Sequence, residues 1–180
     1  MKKLIIGALI GGLLLFLWQT LSWTALNLHG KQYQKSAVQD TVLNFLSSQL
    51  KTDGQYMLPT VDPDADAATR EKVAADMAGK PWAVVTYHSA YNIEMGTTIF
   101  RGLLVDIIIA WLLCWILLGN PQQSFSRIYF TSLAIGLMGY LFLPYSDYMW
   151  FQTPGTTQNL IDVIISWSLC GVWMGWWVRK

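Results

Sequence analysis

Five polar side chains lie within otherwise apolar segments and have the chemistry to hold or move charge: Gln19, Arg101, Asp106, Asp162 and Ser166. Arg101 carries a fixed cation, the two aspartates carry titratable carboxyls, and the amide and hydroxyl can donate hydrogen bonds to them. A lone charge at the centre of a bilayer costs ~2.5–3.5 kcal/mol on insertion scales, so each ionisable group there must be partnered, wetted or neutralised. Arg101 and Asp106 stand about 140° apart around a helix, which denies them a good internal pair. By residue count Arg101 lies ~3 Å and Asp162 ~4–5 Å inside the outer edge of their segments, and this match predicts an ion pair between them. Asp106, ~10 Å deep, is then left to Ser166 at the same depth or to Gln19. This intramembrane polar cluster reads either as a structural network or as a proton-handling site.

Other chemistry is sparse. His29 and His88, the two histidines, fall just outside the apolar segments. Together with Met57 or Met95 they make a candidate haem or copper ligand set. No C-x-x-C-H run and no acidic partner at fixed spacing accompanies them, so interfacial hydrogen bonding is the preferred role. Asp62, Asp64 and Asp66 have the spacing of a calcium loop, but Ala67 and Val73 stand where an EF-hand requires Gly and Glu. Capping and solvation account for them better. Cys114 and Cys170 sit in apolar segments and read as small core side chains. There is no nucleophile with a base and no phosphate loop, so neither a catalytic residue nor a cofactor is expected. The formal net charge of +1, without a basic run, argues against nucleic acid as a partner.

Positioning these residues requires a bilayer. The chain has 180 residues, 53% hydrophobic, with ten tryptophans, too apolar and aromatic for an ordinary soluble domain. The expected class is an all-α membrane protein with four transmembrane helices and a small α+β periplasmic insert between the first and second. The first helix lies within residues 1–29 and is a retained anchor, because its apolar run is longer than a signal peptide's. Residues 30–96 form the insert, and 97–180 hold three more helices at about 97–119, 127–146 and 159–178. Within the insert, Val38, Val42, Phe45, Leu46 and Leu50 recur at helical spacing. QYMLP and PWAVVTYH read as paired strands, flanking a helix capped by Asp62 or Asp64, with acidic residues in its first turn, and stopped by Gly79.

Lys2, Lys3, Arg127, Arg179 and Lys180 fall on one side of four spans, whereas the SDYMWFQTPGTTQN connector has no basic residue. Both termini are therefore expected in the cytoplasm. Gly7 with Gly11, and Gly171 with Gly175, form G-x-x-x-G pairs at one level of the first and fourth spans, which predicts that these two helices touch through their glycines. Asn120-Pro121 should stop the second span and make the second and third an antiparallel hairpin.

The segments LxWxxLNLHG, GKPWAVVTYH and IDVIISWSLCGVWMGWW resemble those of uncharacterised small four-span inner-membrane proteins of Bacteroidota, over most of the chain. That resemblance implies a bacterial inner membrane with a periplasmic insert and brings no catalytic residues. The expected function is a non-enzymatic accessory or assembly subunit of a larger membrane complex, with the lipid bilayer and other subunits as partners. Two alternatives stay open: a redox or ion-handling protein using His29 and His88 or Asp106, and an anchored periplasmic binding or sensing module.

Overall fold

The computed structural model describes residues 1–120 and 122–180. Along the chain run α1 (Lys2–Trp23), a 3₁₀ turn (Gly30–Gln32), α2 (Gln39–Gln49), β1 (Gly54–Leu58), α3 (Ala67–Met77), β2 (Ala83–Tyr87), α4 (Met95–Leu118), α5 (Phe125–Phe142), α6 (Pro144–Phe151) and α7 (Thr156–Trp177). Four stretches, namely α1, α4, α5 with α6, and α7, are long and apolar enough to cross a membrane, the mark of a multi-pass membrane protein. The chain divides into a helical unit, residues 1–34 with 93–180, and an insert unit, residues 35–92.

Apolar helices gain little from leaving lipid for each other, so close approach over small residues decides which ones pair. Buried positions on α1 are Gly7, Ala8, Gly11, Gly12, Leu15 and Ser22, and those on α4 are Asp106, Ala110, Leu113, Cys114 and Leu117. Both sets recur every three or four residues, so each marks one helix face. A Cβ at Gly12 would come 2.5 Å from the Cα of Ile107, which identifies the tightest crossing of α1 with α4. The main contacts pair α4 with α1, α1 with α7, and α7 with α5. The spans thus line up in the order α4, α1, α7, α5.

Two expectations need correction. Although α1 and α7 do touch, their glycines do not meet. Gly7 faces Cys114 and Trp177, Gly11 faces Met174 and Ala110, while Gly171 and Gly175 face Ser132, Tyr129 and Phe125 on α5. Large α7 side chains fill the notches of α1, and the notches of α7 are taken by α5. Nor do α4 and α5 pair chiefly with each other as a hairpin, since their small-residue faces turn toward α1 and α7. Pro121, the expected stop, lies outside the described residues; α4 ends at Leu118 with Gly119 as its cap. The third span also breaks after Phe142, where Pro144 opens α6, because proline lacks the N–H that would continue the ladder.

In the insert, β1 and β2 pair antiparallel from Gly54 opposite Tyr87 to Leu58 opposite Ala83, as the β-branched run predicts. The cap of α3 is Asp66, which accepts from the Thr69 N–H at 2.8 Å, rather than Asp62 or Asp64. Asp62 instead accepts from the Asp64 N–H at 2.9 Å in the preceding turn. That turn delays the helix and leaves no acidic residue in its first turn. Gly79, at φ +74°, ends it in the left-handed region. Among the described residues of the insert, Tyr87 is the one buried side chain.

Candidate functional site

Asp162 stands near the start of α7 and gathers three donors. Its Oδ1 accepts from Trp18 Nε1 at 3.1 Å and from Ser22 Oγ at 2.7 Å. Its Oδ2 lies 2.7 Å from His29 Nε2. Trp18 and Ser22 are one turn apart on α1, so a single helix face supplies both. After α1 the chain turns back through Gly30–Gln32, which buries His29 to 2% exposure and stacks it on Trp23 at 4.0 Å between ring centroids. Gln32 Nε2 lies 2.5 Å from His29 Nδ1. With that amide donating, the imidazole is assigned as the Nε2–H tautomer and donates to the carboxylate.

Below the Gln32 amide lies Gly155, the N-cap of α7, at φ +94°. Any Cβ there would run into the Gln32 side chain. The arrangement is a clamp that fastens the end of α1 to the start of α7. Serine, histidine and aspartate meet here, but Ser22 donates to the carboxylate and not to the imidazole. The hydroxyl is therefore held as a donor rather than activated as a nucleophile.

Asp106, on α4, meets a different surface of α1. Its Oδ1 accepts from Gln19 Nε2 at 3.1 Å. The residue is 2% exposed, and Oδ2 is buried without a hydrogen-bond partner among the described residues. Ser166 is close in sequence to the clamp but joins neither carboxylate, because its Oγ bonds back to the Asp162 main-chain oxygen at 2.6 Å.

The expected cluster thus resolves into two sites and two bystanders, Ser166 and Arg101. Gln19 with Asp106 forms one, and Asp162 forms the other. Arg101 is exposed on α4 and enters no ion pair among the described residues, which overturns its expected pairing with Asp162. Equal depth does not imply equal direction: Asp162 turns toward α1. His29 and His88 do not act as one ligand set either. Both His29 nitrogens are occupied within the helical unit, whereas His88 lies in the insert, exposed, with Nδ1 3.6 Å from Asp53 Oδ2. No group of three or more His, Cys, Asp or Glu side chains is placed to hold a metal ion among the described residues. Sequence reasoning missed Trp18, His29 and Gln32 as clamp residues. The available signal was the spacing of Trp18 and Ser22 beside a histidine a few residues beyond the helix.

At the other end of the helical unit, Trp177 Nε1 donates to the Lys3 oxygen at 2.7 Å and Trp173 Nε1 to the Gly7 oxygen at 3.2 Å. Lys3 Nζ in turn donates to the Val178 oxygen at 3.0 Å, so α1 and α7 are tied at both ends. An apolar cleft of about 510 Å³ opens beside α7, lined in part by Leu14, Ile164, Leu169, Val172 and Trp173. Compared with family models, curated proteins and solved structures, the chain matches none.

Proposed function

We propose that the chain is a non-enzymatic accessory or assembly subunit of a larger bacterial inner-membrane complex, with both termini cytoplasmic and the insert in the periplasm. The observation that carries this reading is the bare apolar face of α2. Val38, Val42 and Phe45 recur along one side of this helix and are 58%, 45% and 65% exposed. No residue of α2 is buried among the described residues. Exposed apolar stripes of this kind mark interaction surfaces, and an amphipathic helix laid into a partner's groove uses this spacing. In the helical unit the polar groups of the clamp are spent on one another, which is the economy of a scaffold. Orientation rests on the basic residues at both chain ends and at Arg127.

A photo-cross-linking residue at Phe45, activated in living cells before purification in mild detergent, tests the reading. The expected outcome is a discrete protein adduct that Val42→Asp abolishes. A chain that purifies alone, with no protein adduct at position 42, 43 or 45, refutes it in favour of an anchored sensing module. Topology is read from a cysteine at Ser47, which is exposed; both native cysteines are buried and give little background. Labelling of that site only after cell lysis would reverse the orientation.

A further inference from the structure

We propose that Asp106 is a proton-binding site in the middle of the helical unit, held as the neutral acid with its proton on Oδ2 and exchanging that proton with water past Gln19. This goes beyond the accessory-subunit reading, since a scaffold has no need of it. Eleven residues of α4 precede Asp106 and twelve follow it, so it stands at the midpoint of a membrane-length helix. Its side chain opens the buried face that continues through Ala110, Leu113, Cys114 and Leu117, and the close crossing of Gly12 on Ile107 lies one residue further on.

An ionised carboxylate offers about four acceptor positions, and Asp106 receives one N–H, from Gln19. With Oδ2 buried and unpartnered among the described residues, an anion would keep much of its desolvation cost unrepaid. Asp106 enters no ion pair among the described residues. From α4 itself the charged neighbour is Arg101, exposed and outside every ion pair found among the described residues. From α1 the facing group is the neutral Gln19 amide, while Lys3 at the far end is bonded to the Val178 oxygen. From α7 the titratable groups are Asp162, which is committed to His29, Ser22 and Trp18, and the buried thiol of Cys170. A divalent cation such as calcium takes about six to eight oxygen ligands, and no cluster of three ligating side chains is present among the described residues. The ligand that fits one bare oxygen is a proton. Gln19 lies in the last turns of α1, which ends at Trp23, and its amide reaches Asp106 from there, so it is the polar group between the carboxyl and the water at the end of the span.

Infrared spectroscopy of the full chain in dodecyl maltoside, a detergent with no carbonyl group to overlap the acid band, tests the proposal. At neutral pH the surface carboxyls are ionised, so the carboxylic-acid C=O band should come from Asp106. It is expected in the unaltered chain, lost in Asp106→Asn, and shifted after transfer to D2O. If Asp106→Asn does not accumulate, aspartate carrying carbon-13 at its side-chain carboxyl should move the band in the unaltered chain and makes the assignment without a mutation. Absence of an aspartic-acid band at neutral pH overturns the proposal. A band that stays unshifted in D2O overturns it equally, because a trapped proton makes the acid structural.

Discussion

Truncating Asp162 removes the acceptor for three donors at once, and this gives the most quantitative test of the clamp. In Asp162→Ala, the Ser22 hydroxyl and the His29 N–H, at 0% and 2% exposure, are left without an acceptor, each at about 1–3 kcal/mol. Trp18 is only partly buried and recovers some solvation. The sum is about 2–6 kcal/mol. Asp162→Asn keeps one acceptor oxygen and should lose about half of that. The pairwise term comes from a double-mutant cycle with His29→Ala, read from unfolding of the detergent-solubilised chain followed by tryptophan fluorescence. A hydrogen bond to a charged group predicts a coupling of about 1.5–3 kcal/mol. The cycle of Arg101→Ala with Asp162→Ala should be additive to within about 0.5 kcal/mol. Additivity between His29 and Asp162, or strong coupling between Arg101 and Asp162, would refute the clamp and restore the ion pair.

Gly12→Ala should cost about 1–3 kcal/mol by overpacking, because its Cβ meets the Ile107 backbone. Gly139→Ala, with nothing within 4 Å, should be neutral or stabilising by up to about 1 kcal/mol; equal effects in the same unfolding assay would remove the close crossing. In the insert, hydrogen bonds from Ser89 hold the Asp53 carboxyl below its ordinary value of 3.8, with a smaller contribution from His88. A lowered folded value means that this group's contribution to stability is complete above the unfolded value and is lost as pH falls through the folded one. An NMR titration of the Asp53 carboxyl should therefore show a midpoint below 3.8, and a midpoint at or above it would dissolve the Ser89 tie.

The four spans were legible because an apolar run of about 20 residues has few other uses. The strand pair was legible from the β-branched run ending at Tyr87. Capping by an aspartate was legible too, but three aspartates compete before α3, and the turn at Asp62 decides among them. Partner choice inside the helical unit was not legible. Residue count along a span gives depth alone, and Arg101 and Asp162 match in depth while facing different neighbours. Glycine spacing shows that a helix has a notch, without saying that Met174 and Trp177 fill it. The pairing of Gln19 with Asp106 was among the options, whereas His29 was placed outside the bundle because nothing in its flanks announces that the chain folds back.

The tie between His29 and Asp162 joins residues 133 positions apart, and those from Ser22 and Trp18 span 140 and 144. Gln19 meets Asp106 across 87 positions. A chain emerging from the ribosome therefore inserts α1 long before its acceptor on α7 exists, and its polar face is completed in two instalments. First α4 arrives and gives Gln19 its acceptor, Asp106; only then does α7 deliver Asp162. A nascent chain halted between residues 118 and 156 holds a paired α1 and α4 but leaves Trp18, Ser22 and His29 without the acceptor that Asp162 provides. A helix made late thus completes one made much earlier.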